Sequence, residues 1–344
     1  MKVLVLNVHV PFVQGGAELL VNDLVRELRA RGHLVELVQI PLIAVLKRFE
    51  DNMTVWEKID LDHFGGDNVD KVIALKWPTY GAAHPKMNVW MLHQFRSVYD
   101  LWEKHAIYWK NGKELRALTK RFDKKHLKKA NKIFTISKNV TKRLKHFNNI
   151  DSKVIYPPPS KIDGYQCNSY GDYLFFPSRI VDHKRQELVI KALPFTDKKT
   201  KVVFAGAPMQ EQYLTSLKKM AEELGVEDRI TWAGRISDQE KIDYYANCRA
   251  VLYPTLDEDY GYVTLEAMFS SKSVLTCTDS GGPLEFIRHN FSGLISEATP
   301  KSFAKIMNEI TLNPDKAETF GKRAREVVEK IPFNWDHVLK KLLS

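Results

Sequence analysis

Cysteine is scarce in this 344-residue chain. Cys167, Cys248 and Cys277 stand alone, without the spacing of a metal knuckle or a disulfide framework. That argues against a stapled secreted scaffold and fits a reducing cytosol. Long apolar runs are missing too: no stretch approaches the roughly 18 residues of a membrane span. The apolar run at residues 3–8 is too short for a signal peptide and is closed by Pro11, so it reads as a first strand. Repeats and low-complexity tracts are absent. The Gly15-Gly16 turn matches neither G-x-G-x-x-G nor the P-loop pattern, which disfavours a dinucleotide or ATP site. A soluble, cytoplasmic protein is expected.

What is present is ordinary globular composition, 44% hydrophobic and 27% charged, in a chain long enough for two domains. Its net charge of +10 is unevenly placed. Residues 104–153 hold 16 Lys/Arg against 3 Asp/Glu, so the remainder is slightly acidic. Such a segment suits an anionic partner, whether phospholipid head groups, a pyrophosphate-linked substrate or nucleic acid, or else is a solvated helical face.

Short β-branched runs alternate with helical periodicity through the first half. Strands are expected at 3–8, 34–40, 71–75, 88–92, 132–136 and 153–156. A Gln-Gly-Gly turn at 14–16 leads into a helix at 17–30 with Leu20, Leu24, Val25 and Leu28 on one face. Pro157-Pro158-Pro159 then denies donors to a sheet and resists helix, which makes a stiff connector. A second alternation follows, with strands at 173–176, 201–205, 229–232, 250–254 and 273–277. Its helices are expected near 186–193, 211–224, 239–246 and from Tyr262 onward. Alternation of this kind implies parallel sheets covered on both faces, with ligands at the carboxyl ends of the strands.

Several residues fall at such ends. Gly15 and Gly16 let backbone approach a ligand at a helix start. Arg179 and Lys184 follow the strand at 173–176 and are able to face a diphosphate, Arg as a fork and Lys as a point charge; surface charge is the plainer alternative. Glu258 and Glu266 flank Gly261 and a helix start, one acid on the loop and the other about a turn inside. That layout offers one carboxylate to a sugar ring, another to a ribose diol, and first-turn amides to phosphates; two acids favoured by the helix dipole would look the same. Ser280-Gly281-Gly282-Pro283-Leu284-Glu285 forms a tight loop after another strand. His93 closes the strand at 88–92 and either hydrogen-bonds a sugar hydroxyl or is structural. Asp257-Glu258-Asp259 is an Asp-x-Asp, a pattern that holds a divalent ion under a diphosphate elsewhere; the cations at 179 and 184 make a metal unnecessary, and none is expected.

Together these segments resemble the retaining glycosyltransferases of family 4. The likeness rests on Gly-Gly-Ala-Glu at 15–18, Arg-Gly-His at 31–33, Thr-Ile-Ser at 135–137, Ser178-Arg179 with Lys184, the Glu-x7-Glu at 258 and 266, and the 280–285 loop. The resemblance implies an α/β GT-B fold: two doubly wound Rossmann-like domains with a cleft between them. An acceptor domain would span 1–158, a nucleotide-sugar donor domain 159–328, and a last helix in 329–344 would return to the first domain. It further implies that Arg179 and Lys184 bind the donor diphosphate and that Gly16 and the Val263 and Thr264 amides approach the phosphates, beside Gly15, Gly261 and Tyr262. Glu258 would lie beside the transferred sugar with His93, and Glu266 on the ribose. Arg185 departs from the Gly that many relatives carry, and Ser271-Lys272-Ser273 replaces Gly-Lys-Pro.

The expected reaction is transfer of a sugar, with retention, from a UDP- or GDP-sugar to a saccharide or lipid-linked acceptor in surface polysaccharide or glycolipid assembly. No cofactor is expected. The helix-like run Leu115, Leu118, Phe122 with Lys120, Arg121, Lys124 and Lys125 suggests peripheral attachment of 104–153 to the anionic inner face of a membrane. A nucleotide-sugar epimerase of the same fold is the first rival. A nucleic-acid binder ranks last, since it leaves the paired glutamates unexplained, and no nucleic-acid partner is expected.

Overall fold

A computed structural model describes residues 1–12, 15–43, 48–64, 67–106, 111–160 and 162–344. Gln14 of the expected turn, Lys161 of the connector and residues 107–110 of the basic segment lie outside the described residues. The chain divides into two compact units, 1–160 with 333–344, and 161–332.

The first unit is built on β1 (Lys2–His9), β2 (Leu34–Pro41), β5 (Lys71–Ala74), β6 (Met87–Met91), β7 (Lys132–Thr135) and β8 (Lys153–Val154). They form one all-parallel sheet in the order β2-β1-β5-β6-β7-β8. A small antiparallel pair, β3 (His63–Phe64) and β4 (Asp67–Asn68), lies apart from it. In β1 the residues from Val3 to Val8 are all buried, because helices cover both faces; an uninterrupted apolar run is the consequence. The helices are α1 (Gly16–Ala30), α2 (Asp51–Glu57), α3 (Trp102–His105), α4 (Gly112–Leu127) and α5 (Lys138–Asn148). As the periodicity predicts, α1 buries Leu20, Leu24, Val25 and Leu28.

The second unit repeats the plan with β9 (Tyr173–Pro177), β10 (Lys201–Ala205), β11 (Ile230–Gly234), β12 (Ala250–Leu252), β13 (Val274–Cys277) and β14 (Gly293–Ser296). Its all-parallel sheet has the order β11-β10-β9-β12-β13-β14. Helices α6 (Gln186–Ala192), α7 (Glu211–Glu223), α8 (Asp238–Asn247), α9 (Tyr262–Phe269), α10 (Pro300–Thr311) and α11 (Pro314–Glu329) flank it. The strand order reverses between β9 and β12 here, and between β1 and β5 in the first unit. Doubly wound sheets bind ligands at such switch points, because the loops on either side diverge there.

The last helix, α12 (Trp335–Leu343), belongs to the first unit. It buries Val338, Leu339 and Leu342, accepts from the Asn88 amide through the Leu342 carbonyl (2.7 Å), and pairs Asp336 with Arg31 (2.7 Å). The unit boundaries fall at Ser160/Lys161 and Pro332/Phe333 rather than after 158 and 328, because α11 runs through to Glu329. The expected strand at 153–156 is shorter, only Lys153–Val154. Beyond it the chain passes into three buried prolines that have no amide hydrogen to extend a ladder.

One expected surface is corrected. Phe122 of α4 does not face solvent: it is buried against Tyr80 (centroids 5.9 Å) and lies so close to Gly81 that a Cβ there would sit 2.6 Å from its ring. Leu115 and Leu118 are half-buried, whereas Arg121, Lys124, Lys125, Lys128 and Lys129 are exposed. The apolar stripe of α4 serves the core, and what faces outward is cationic.

Candidate functional site

At the switch point of the second unit, the loop after β9 carries Ser178 to Arg185 and the loop after β12 carries Tyr253 to Gly261. Lys184 is drawn inward, 8% exposed, and its ammonium donates to the Glu258 carboxylate (2.5 Å) and to the Tyr253 hydroxyl (3.1 Å). Two of the residues expected from sequence are therefore brought into direct contact. Tyr253 was not foreseen. It read only as the apolar end of a strand, yet its hydroxyl sits at the Lys184–Glu258 pair. Burial, and then the Glu258 charge, hold this phenol well above the usual tyrosine range, so it stays protonated.

The loop bearing Glu258 is held by its neighbour after β13. The Asp257 and Glu258 amides donate to the Asp279 and Ser280 carbonyls (2.9 and 3.0 Å), and the Gly282 amide returns to the Glu258 carbonyl (2.8 Å). A side chain at Gly282 would meet the Tyr260 carbonyl at 2.7 Å, so the glycine is required for this close approach. Gly261 caps α9 in the left-handed region (φ 86°) and leaves the helix start without a side-chain cap. The Thr264 amide donates to the Gly261 carbonyl (2.9 Å), so in this structure it is engaged within the turn rather than presented outward. Among the described residues its buried hydroxyl has no hydrogen-bond partner.

Glu266, one turn into α9, is nearly buried. Its carboxylate accepts from Lys241 Nζ (3.0 Å) and from the Tyr245 hydroxyl (2.8 Å), both on α8. The pair expected to act together is thus divided between two clusters, Glu258 with Lys184 and Tyr253, Glu266 with Lys241 and Tyr245. Among the described residues Arg179 makes no hydrogen bond or ion pair with either cluster. It is half-exposed, and among the described residues its guanidinium meets the Met209 sulfur (3.4 Å) and forms no ion pair. Arg185, in the left-handed conformation (φ 62°) where glycine would be unstrained, makes a two-pronged contact with Asp279 (2.7 and 2.6 Å). That contact raises its pKa further.

The first unit has its own set of switch-point residues. Gly15 caps α1 and Gly16 opens it, with Gly15 in an extended conformation. Lys76, just past β5, is buried and ion-paired to Glu18 of α1 (3.5 Å); burial lowers its pKa. His93 follows β6, half-buried, with Nδ1 2.7 Å from the Gln94 carbonyl. A carbonyl only accepts, so this contact places the ring proton on Nδ1. The thiols of Cys248 and Cys277 are buried and pushed up to about 12, which makes them poor nucleophiles. Among the described residues no group of three or more His, Cys, Asp or Glu is placed to hold a metal ion.

Two doubly wound α/β units in one chain, each with its loops gathered at a switch point, define the GT-B fold. The sucrose-phosphate synthase of Thermosynechococcus elongatus superposes over 99% of this chain and 97% of its own, with a TM-score of 0.80 at 17% identity. Residues 165–327 match the family model of glycosyl transferases group 1. The alpha-1,3/1,6-mannosyltransferase ALG2 of Mus musculus is 34% identical over 124 residues, 36% of this chain and 30% of that protein. The GDP-mannose-dependent alpha-(1-6)-phosphatidylinositol monomannoside mannosyltransferase of Mycobacterium tuberculosis (strain H37Rv) is 30% identical over 177 residues, 48% of this chain and 44% of that protein. The chain therefore spans less than half the length of these curated relatives.

Proposed function

We propose that this chain is a retaining glycosyltransferase of family 4 that moves a sugar from a nucleotide diphosphate to an acceptor hydroxyl without a metal ion. GDP-mannose is the first choice of donor, ahead of UDP-sugars, because the sequence relatives are named as mannosyltransferases, one of them GDP-mannose-dependent. The observation that carries the reading is the Lys184–Glu258 contact at the switch point of the second unit.

The departing diphosphate gains negative charge in the transition state. Lys184 and Arg179 supply fixed positive charge there, and the start of α9 adds its amide dipoles. Glu258 holds Lys184 in place and shares its ammonium with the incoming phosphate. A carboxylate already paired to a lysine is a weak nucleophile, which favours departure and attack on the same face of the sugar over a covalent intermediate. Glu266 binds the ribose hydroxyls, exchanging a contact with Lys241 or Tyr245 for them. His93 hydrogen-bonds the transferred sugar, and the first unit receives a saccharide or lipid-linked acceptor used in surface polysaccharide or glycolipid assembly. The outward cations of α4 hold that unit against the anionic inner face of a membrane by charge alone; no described helix is long and apolar enough to cross one.

The test is transfer from GDP-mannose to a lipid-linked or oligosaccharide acceptor, with the anomeric configuration of the product read by NMR and EDTA in a parallel reaction. Turnover that retains configuration, survives EDTA and falls about 10²-fold in Arg179→Ala is the expected result. Intact turnover in both Arg179→Ala and Glu258→Gln would overturn the assignment, as would donor consumption without any acceptor.

A further inference from the structure

A polar cluster in the first unit shares no residue with the site proposed for the donor. Asp123 of α4 is fully buried, and its two carboxylate oxygens accept from the Tyr80 hydroxyl (2.7 Å) and the Tyr99 hydroxyl (2.6 Å). The Tyr99 oxygen in turn accepts from the Asn148 amide nitrogen (2.9 Å), at the end of α5. The Asn148 side-chain oxygen accepts from the side-chain amide of Gln94. Gln94 is buried and follows His93, whose Nδ1 meets the Gln94 carbonyl.

The direction of this chain is set at one end. Above about pH 7, where buried Asp123 has lost its proton, the carboxylate only accepts, so both tyrosines donate to it. Tyr99 then has only a lone pair to offer Asn148, which turns the amide nitrogen towards the hydroxyl and the amide oxygen towards Gln94. Each step leaves one choice for the next. The chain joins α4, the residues after β6 and the end of α5, and it stops at the segment that carries His93. Tyr80 shares the same carboxylate but lies on no path to Gln94.

We propose that Asp123, Tyr99 and Asn148 are positioning residues that orient the His93–Gln94 segment for sugar transfer. The proposal rests on the glycosyltransferase reading for its kinetic consequence, and on geometry alone for its effect on His93. Tyr99 and Tyr80 form a matched pair for the test: Phe at either position keeps the ring and removes one hydrogen bond to the same carboxylate.

The experiment compares full-length wild type, Tyr99→Phe, Tyr80→Phe and Asn148→Ala by thermal melting, by histidine ring NMR with His93 assigned through His93→Gln, and by donor kinetics. Tyr99→Phe and Tyr80→Phe are both expected to melt at reduced temperatures, Tyr99→Phe the lower because it also takes the acceptor from the Asn148 amide. Only Tyr99→Phe and Asn148→Ala should shift the His93 ring nitrogens and lower kcat, by about tenfold, with the KM for the nucleotide sugar unchanged. If Tyr99→Phe leaves the His93 resonances as Tyr80→Phe does, the cluster is a structural core and the proposal is overturned. If wild type shows no transfer at all, the functional reading fails, while the His93 comparison still decides the proposal.

Discussion

Replacing Lys184 by Met separates what the Lys184–Glu258 pair does for stability from what it does for reaction. The side chains are 10% and 17% exposed, so removing the ammonium leaves a carboxylate mostly out of water. Stranding one partner of a buried pair costs about 3–5 kcal/mol. Here the residual exposure of Glu258 and the Tyr253 hydroxyl, which is able to turn and donate, reduce that to about 2–3 kcal/mol. Glu258→Gln is milder, about 1–2 kcal/mol, because the amide oxygen still accepts from Lys184. The double variant strands no charge, so its loss should fall below the sum of the singles by about 1–2 kcal/mol.

Rate should behave differently. Both singles lose a group aimed at developing charge or at the sugar, about 3 kcal/mol of barrier, and the double variant recovers none of it. Denaturant melts give the stability cycle, and initial rates of nucleoside diphosphate release give the kinetic one. For a domain of this size 1 kcal/mol corresponds to about 2–4 °C, so Lys184→Met should melt roughly 4–12 °C lower. Strictly additive stabilities would mean that the pair is not formed in solution. Recovery of turnover in the double variant would refute the role assigned to both residues.

Burial raises Asp123 from an ordinary carboxylate value to about 7 against the opposing tyrosine hydrogen bonds. Between pH 4 and pH 7 the folded state therefore binds a proton that the unfolded chain has released. Stability attributable to this group falls as pH rises through that window and levels off above it, by on the order of 4 kcal/mol; Asp123→Asn should lose that slope in denaturant melts at successive pH values. Arg185→Gly relieves a left-handed conformation worth about 1 kcal/mol and gives up a partly exposed pair worth about as much. Near-neutral stability with altered kcat/KM ratios across a donor panel is expected, and unchanged ratios would show that the Arg185–Asp279 contact has no role in donor choice. Charge reversal at Lys124, Lys125, Lys128 and Lys129 should abolish sedimentation with anionic vesicles at low salt; persistence of binding would place the contact elsewhere.

The sheets were legible because parallel strands covered on both faces need uninterrupted apolar runs, and β1, β5, β9 and β10 all have them. Their ends were less so. β8 stops after two residues because three prolines follow, and α5 was missed altogether. That helix mixes Lys138, Lys142, Arg143 and Lys145 with few apolar residues, buries only Val140, Arg143 and Leu144, and begins on a Ser137 cap that accepts from the Val140 amide. The apolar spacing of α4 was legible as a stripe. Its destination was not, since a stripe is equally suited to a membrane and to Tyr80 and Gly81 beneath it.

The candidate site shows the same boundary in another form. Spacing along the chain marked Glu258 and Glu266 as related, because both flank one helix start. It carried no information on their partners: Lys184, from the loop after β9, and Tyr253, at the start of the loop that carries Glu258, for one acid, Lys241 and Tyr245 of α8 for the other. These partners change what each acid is able to do. An isolated Glu258 would be a candidate nucleophile, whereas one 2.5 Å from a buried ammonium is that ammonium's counter-charge, which in the proposed function keeps it in place for a diphosphate. Glu266 is likewise held by a tyrosine whose hydroxyl burial and the neighbouring carboxylate keep protonated. A ribose hydroxyl replacing Tyr245 or Lys241 exchanges one donor for another, so ribose binding leaves no charge stranded and draws its net free energy from the contacts the rest of the nucleotide makes.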